Sequence, residues 1–176
     1  ISLTGIFMYW FDLINGYVLL AWFFLGLGIT GRYLKKVTTL YNTTSKVNDL
    51  LEQYAQLLLA IEQEEFESPR LQNWKKSIET NNTNASYRLK ELAKEIDLLS
   101  NRNNMIFAPL ANGFLLWDLR YSYRIEDWIG DFESALRNWF SIVERFDAIN
   151  SFGNFAFNHN SHNYPEVSDS HKNQLY

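Results

Sequence analysis

Hydrophobic residues recur three or four positions apart between residues 37 and 61, which is the spacing of one helix face. The seam consists of Val37, Leu40, Thr44, Val47, Leu51, Tyr54, Leu58 and Ile61. This 37–61 seam predicts a long helix with a coiled-coil-like face. It ends at an acidic run, and Ser68-Pro69 then predicts a turn or a new, short helix over 69–79. The acidic run is Glu62, Glu64, Glu65 and Glu67.

The tract ETNNTNAS at residues 79–86 separates this short helix from the next one. Its Asn, Thr and Ser content predicts an exposed loop in which Asn84 or Ser86 caps the following helix. That helix again has a three-four-three spacing of apolar residues, and it breaks within 101–104. Its apolar positions are Leu89, Leu92, Ile96 and Leu99.

Two more helices are predicted in the second half of the chain. One restarts near Met105 and runs to Ile125 or Trp128, and the last begins at Asp131, a good N-cap residue, and ends about Gly153. Their apolar positions are Phe107, Leu110, Phe114, Trp117 and Tyr121, followed by Phe132, Leu136, Trp139, Val143, Phe146 and Ile149. The chain has only eight glycines and three prolines. We therefore expect an all-α fold, an elongated antiparallel bundle of long helices.

The N-terminal region is apolar. The 19 residues between Asp12 and Arg32 carry no formal charge, which is about the length a helix needs to cross a bilayer, and Arg32, Lys35 and Lys36 follow at once. This basic flank favours a cytoplasmic C-terminal side. Residues 1–31 are therefore predicted to form a hydrophobic helix that ends near Gly31 and enters the membrane. The rival interpretation is a helix buried in a soluble bundle.

Three glycines in this region match the spacing G-x-G-x-x-G: Gly26, Gly28 and Gly31. A dinucleotide-binding loop also needs a preceding strand, a βαβ unit and an acidic residue about 20 positions further on. Asp49 lies near that distance, but it falls inside the helical repeat. The glycines therefore fit a packed or membrane-embedded helix better than a nucleotide site.

The composition of the chain excludes several classes of function. The net charge is −4 and the pI about 5.4, so the whole chain is not suited to binding polyanions, and weak DNA binding at most is expected. There is no cysteine, which excludes disulfides and thiolate metal sites and fits a reducing compartment. No phosphate-loop motif is present. We expect no catalytic residue, no cofactor and no metal in this chain, and therefore no enzyme activity of its own.

The three histidines, His159, His162 and His171, lie in the C-terminal tail. His159, His162 and Glu166 have a spacing that could hold a metal ion on a helix, but the intervening Asn, Ser and Pro favour a solvated tail. We expect residues 159–176 to be a polar linker, and residues 32–158 to be the helical domain. The first residue is Ile1, so we expect the chain to belong to a longer protein.

The stretch WDLRYSYRIEDW contains the one candidate binding feature, Arg120 and Arg124, which share a helix face. Two arginines on one face could contact phosphate or an acidic partner. The alternative, which we favour, is an ion pair with the acidic run of a neighbouring helix.

The order of motifs in residues 112–167 resembles the MutS family of DNA mismatch-repair ATPases. The matching features are Asn112 with the apolar run to Trp117-Asp118, then the stretch RIEDW at 124–128, FAFNH at 155–159 and YPEV at 164–167. Residues 50–72 are similar to the ascending lever helix of that family, so the resemblance covers roughly residues 37–167.

The resemblance implies a core or lever domain that leads into a downstream ATPase domain, which would hold ATP and Mg²⁺ and bind DNA in the full-length protein. The family's clamp insertion has no counterpart beyond 79–86, and its mismatch-reading Phe-x-Glu motif is absent. The apolar N-terminus resembles a branch of MutS-related proteins with hydrophobic segments before the lever. The implied function is a non-catalytic lever that transmits ATP-driven motion.

Two other functions fit the sequence. One is a membrane-anchored helical scaffold that forms a homodimer through the 37–61 seam. The other is a small enzyme or ligand-binding bundle with a pocket between aromatic seams. The expected location is the cytoplasm, with residues 1–31 as a membrane anchor.

Overall fold

The structure, a computed structural model, describes residues 15–78 and 84–159, and all regular structure in these ranges is helical. This confirms the predicted all-α bundle. The α-helices are α1 (Gly16–Thr44), α2 (Asn48–Gln63), α3 (Pro69–Ile78), α4 (Ala85–Ser100), α5 (Phe107–Leu115) and α6 (Trp117–Asn158). Short 3-10 turns at Ser45–Val47 and Asn101–Asn103 follow α1 and α4.

The predicted helix end near Gly31 is wrong, because α1 continues without a break to Thr44. No described glycine adopts the left-handed conformation that ends helices, and a glycine in that conformation is the usual stop signal. Beyond Gly31, hydroxyl groups of four threonines donate to the carbonyl oxygen four residues earlier and leave the helix intact. These are Thr38, Thr39, Thr43 and Thr44.

The 37–61 seam faces the core of the bundle with one exception. Val37, Leu51, Leu58 and Ile61 are buried, whereas Val47 is 41% exposed. Val47 lies in the 3-10 turn, which changes the rotation of the chain between α1 and α2. Asn48 is buried in its place and donates from Nδ2 to Asp97 Oδ1 at 2.8 Å.

Helices α2 and α4 form an antiparallel pair that is joined by polar contacts at both ends. Asn48 and Asp97 meet at one end, and at the other Glu62 accepts hydrogen bonds from the backbone N–H and the hydroxyl of Ser86. The Glu62 carboxylate therefore caps the first turn of α4, because it accepts from a backbone N–H at the end of the helix where anions are favoured. Asn84 occupies the N-cap position, but its side chain makes no capping bond, so neither predicted cap acts as expected.

The apolar residues of α4 are buried as predicted: Leu89, Leu92, Ile96 and Leu99. They pack between α2 on one side and α6 on the other. Helix α6 is antiparallel to α4, because Trp117 bonds to the Leu98 carbonyl at one end while Arg88 lies over the Phe132 ring at the other.

Helix α6 is a single helix of 42 residues, so the break predicted at Asp131 is wrong. Its apolar face passes through this point without interruption, since Trp128, Phe132 and Trp139 are in mutual ring contact. Trp139 is fully buried and donates to the Ile78 carbonyl at the end of α3. The real break lies at Leu116, between α5 and α6. The helix also ends at Asn158 rather than about Gly153.

Helix α1 contains a stretch that is long and apolar enough to cross a membrane, and most of that stretch is exposed rather than buried in the bundle. A membrane span and a signal sequence share this length and composition. Residues 1–14, the other part of the predicted hydrophobic segment, lie outside the described residues, as do 79–83 and 160–176.

Helix α5 packs on α1 through two glycines. Gly26 and Gly113 bring the two backbones into direct contact, and the rings of Phe23 and Phe114 lie 5.2 Å apart beside them. A methyl group at Gly26 would overlap the backbone carbonyl of Gly113, which cannot move aside as a flexible side chain could.

We predict that Gly26→Ala destabilises the protein by about 1–3 kcal/mol, since it forces the two backbones apart. Thermal unfolding in detergent measures this. Gly28→Ala is the matched control, because a Cβ there meets nothing within 4 Å and alanine favours the helix by about 1 kcal/mol. Equal stabilities of the two variants would contradict the close contact.

Candidate coupling junction

Four helices meet at a polar cluster that we call the junction, made of Thr38, Tyr41, Arg102, Asn112 and Asp118. Thr38 and Tyr41 come from α1, Arg102 from the turn after α4, Asn112 from α5 and Asp118 from the first turn of α6. Because α1, α5, α6 and the turn after α4 each supply a side chain, the junction fixes the apolar α1–α5 pair against the rest of the bundle.

Leu116 creates the bend between α5 and α6. Its φ and ψ of 51° and 42° are left-handed, and it is the only non-glycine residue with positive φ among those that the structure describes. This conformation costs a residue with a Cβ about 1–2 kcal/mol. The Asn112 side chain offsets part of the cost, since its Oδ1 accepts from the backbone N–H of Asp118 at 2.9 Å and so caps α6.

Asp118 and Arg102 form a buried ion pair. Asp118 is 2% exposed, and its Oδ2 lies 3.5 Å from Arg102 Nε. Arg102 Nη2 also donates to Thr38 Oγ1 at 3.0 Å, and the guanidinium lies over the Tyr41 ring. One guanidinium therefore ties the start of α6 to the C-terminal part of α1. Asp118 is placed well for this, because a carboxylate in the first turn also favours the helix dipole.

Neutral contacts complete the junction. Trp117 donates from Nε1 to the Leu98 carbonyl at 2.8 Å, and Asn103 donates to the Tyr41 hydroxyl at 2.7 Å. The Trp117 ring also contacts the rings of Phe107 and Tyr121. The relative positions of α1, α4, α5 and α6 are thus set by side chains that cross between them. Chemically, the arrangement holds helices together and presents no open cleft at Asp118.

The two predicted arginines lie in different surroundings. Arg124 Nη2 lies 2.8 Å from Oε1 of the buried Glu95 on α4, whereas Arg120 is exposed and makes no ion pair within 15–78 and 84–159. Arg124 thus pairs with a neighbouring helix as favoured, but with Glu95 rather than with the acidic run. A phosphate or acidic-partner contact at Arg120 and Arg124 stays a prediction.

Of the candidate metal ligands in the C-terminal tail, the structure describes only His159. Its ring stacks on Phe155 with centroids 4.4 Å apart, and Nδ1 lies 3.1 Å from the Phe155 carbonyl. His162, His171 and Glu166 lie outside the described residues. In the part of the chain that the structure describes, no three potential metal ligands come together.

Sequence reasoning did not single out Arg102 as a junction residue. It lies in an Asn-rich break where a charged residue is normally solvated, so no periodic signal marks it. Asn112 carried a detectable signal, because it is the only polar residue from Met105 to Leu116. A lone amide in an apolar stretch is usually buried with a hydrogen-bond partner.

Comparison with known proteins gives no relative: no family model matches the chain, and neither a curated protein nor a solved structure does. The MutS resemblance therefore has no support beyond the residues that carry it. What the fold establishes is the class, an all-α helical bundle.

We predict that Asp118→Ala destabilises the protein by about 3–5 kcal/mol, because it leaves the Arg102 charge buried without its partner. Equilibrium unfolding in urea measures the loss. The control is Glu133→Ala, which breaks the exposed Glu133–Arg137 pair within α6 and should cost about 0.5 kcal/mol or less.

A second variant keeps this test informative if Asp118→Ala does not fold. The double change Arg102→Met with Asp118→Asn removes both charges and should be more stable than Asp118→Ala alone. A loss at Asp118→Ala no larger than at Glu133→Ala would show that the pair does not hold the junction.

Proposed function

We propose that this chain is a non-catalytic helical lever that couples motion at the far end of α6 to the apolar helix α1. The observation that carries the proposal is the single helix α6, whose first turn is tied to α1 by Arg102 and Asp118. At 1.5 Å per residue, its 42 residues extend about 63 Å, roughly twice the diameter of a small domain.

The packing of α6 supports a stiff rather than a flexible rod. Buried residues occur along much of its length, from Tyr121 and Ile125 near the start to Ile142 and Val143. Helices α1, α2, α3 and α4 all pack against α6. Helices packed in this way move as bodies rather than bending continuously.

The apolar end of the lever is proposed to be attached to a membrane through α1. Its exposed apolar surface and the exposed cations Arg32, Lys35 and Lys36 support this. Basic residues that follow an apolar span favour the cytoplasmic side, which would put α2, α3, α4 and most of α6 in the cytoplasm.

The far end of the lever is proposed to carry a downstream ATPase domain, as the MutS resemblance implies, with ATP and Mg²⁺ bound there. Phe152 and Phe157 near the end of α6 are exposed, and aromatic residues of this kind are common where another domain or protein binds. The resemblance places a G-x-x-x-x-G-K-[ST] motif within roughly a hundred residues after Tyr176. A reading frame without it would remove the MutS part of the proposal.

We predict that α6 behaves as one rigid helix in solution. The chain has no cysteine, so spin labels at Tyr123→Cys and Asn154→Cys are unique. The distribution of distances between the two labels, measured by pulsed electron paramagnetic resonance, should be narrow and centred at about 46 Å, the span of 31 helical residues. A broad or much shorter distribution would contradict a rigid lever.

Coupling is tested in the natural, full-length protein. With a fluorophore at Lys36→Cys, nucleotide should change the emission in otherwise unaltered protein. Ala135→Pro, which breaks the middle of α6, should abolish the change while nucleotide hydrolysis continues, and Glu133→Ala should leave both intact. A signal that persists in Ala135→Pro would show that α6 does not carry the motion.

The second candidate function is a membrane-anchored scaffold that dimerises. The 37–61 seam is largely covered within one chain, but Leu50 and Leu57 are exposed on the outer side of α2. A dimer that dissociates in Leu50→Glu and Leu57→Glu, measured by sedimentation in detergent, would support the scaffold. A monomer at high concentration would exclude it.

A further inference from the structure

We propose that α5, together with the residues that lead into it, enters the same lipid bilayer as α1 and returns to the side from which it came. This inference rests on the proposed membrane attachment of α1. It assigns a second membrane-contacting element to a part of the chain that is far from the N-terminus in sequence.

The outward-facing surface of residues 105–116, which include α5, is apolar, whereas a surface in contact with water is normally polar. Met105 is 90% exposed, Ile106 78% and Leu110 52%. From Met105 to Leu116 the only polar side chain is Asn112, and it is buried. A helix on a water-exposed surface normally places charged or polar residues on its outer side. The outward side of α5 has none, which is the pattern expected against hydrocarbon.

The apolar surface of α5 continues onto α1. A groove of about 660 Å³ between the two helices is lined mainly by apolar residues of both, and the close Gly26–Gly113 contact lies beside it. Those residues are Leu19, Leu20, Phe23, Leu110 and Phe114. Small residues at a close helix crossing are typical of membrane proteins, where backbones must approach to gain van der Waals contact.

The ends and the middle of the segment lie at different levels along α1. Arg102 and Asp118 bracket the segment and contact each other, and Arg102 also donates to the hydroxyl of Thr38. Gly113 instead contacts Gly26, which lies 12 residues, or about 18 Å, nearer the start of α1 and inside its uncharged run. The segment therefore leaves the level of Thr38, reaches the apolar part of α1 and comes back.

Helix α5 is long enough to enter the bilayer but too short to span it. Its nine residues extend about 14 Å, roughly half of a 30 Å hydrocarbon core. Several backbone groups at its two ends are paired within the protein, which a bilayer favours. Asn104 Oδ1 accepts from the N–H groups of Ile106 and Phe107 at the start, and the Asn112 carbonyl accepts from the N–H of Leu116 at the end.

The positions of the cations are those expected at one face of a membrane. The exposed cations Arg32, Lys35 and Lys36 of α1 follow its uncharged run on the side of Thr38, whereas the charge of Arg102 is paired with Asp118. Cations at this level complement anionic lipid headgroups. A bilayer therefore matches both the apolar surface and its charged border, and we commit to lipid rather than a second copy of the chain as the occupant.

The test places an environment-sensitive fluorophore on single cysteines in the complete chain, reconstituted in phosphatidylcholine–phosphatidylglycerol vesicles. Labels at Met105→Cys and Leu110→Cys report on the α5 segment, and Phe24→Cys reports on α1. Tyr87→Cys is the aqueous control, because it is 61% exposed but lies at the opposite end of α4. Lipids brominated in their acyl chains quench only labels in hydrocarbon.

We expect brominated lipid to quench the Leu110 and Phe24 labels severalfold more than the Tyr87 label. Quenching at Phe24 without quenching at Leu110 would overturn the α5 inference and leave the membrane attachment of α1 standing. Quenching at neither would overturn both. A Leu110 label that is shielded from lipid and from aqueous quenchers, in a concentration-dependent manner, would identify a second copy of the chain as the occupant and would equally overturn the inference.

Discussion

The buried ion pair between Arg102 and Asp118 is the interaction on which the arrangement of the helices depends. Removing two charges from water costs several kcal/mol for each ion, so such a pair persists only with good compensation. Here the Thr38 hydroxyl, the Tyr41 ring and the positive end of the α6 dipole offset part of the cost, and Asp118 Oδ1 and Arg102 Nη1 have no hydrogen-bond partner among the described residues. The same guanidinium contacts Thr38 of α1 and Asp118 of α6, so it links these two helices directly.

The described chain combines two regions with opposite surfaces, and the junction lies between them. In α2 and α4 most apolar side chains point inward, with Leu50, Leu57 and Tyr87 as exposed exceptions, and many outward positions are polar, such as Gln53, Gln56, Lys90 and Lys94. In the first half of α1 and in α5 the exposed positions are themselves apolar. Polar contacts at the junction therefore mark the boundary between a bundle with a mainly polar surface and a helix pair with an apolar surface.

Local periodicity predicted the parts of the fold in which neighbouring residues decide the structure. The spacing of Leu89, Leu92, Ile96 and Leu99 specified the buried face of α4, because residues three and four apart share a helix face. The break at Leu116 had no such signal. Leucine rarely adopts a left-handed conformation, and here the side chain of Asn112 and the packing of α5 impose it.

Residues that act over long sequence separations were equally hard to predict. Arg102 meets Thr38 across 64 positions, and no pattern in either neighbourhood encodes that contact. Arg124 was identified from its spacing to Arg120, but its partner Glu95 was not, since an isolated glutamate in an amphipathic helix resembles a solvated one. Tertiary packing decided which of these charges became buried.

The polar contacts at both ends of the α2–α4 pair limit how this bundle can move. Sliding α4 along α2 by one turn, about 5.4 Å, would separate Asn48 from Asp97 and Glu62 from Ser86 at the same time. A piston-like displacement between these two helices is therefore opposed from both directions. Any tilt or swing that preserves these contacts moves α2 and α4 together as a single block.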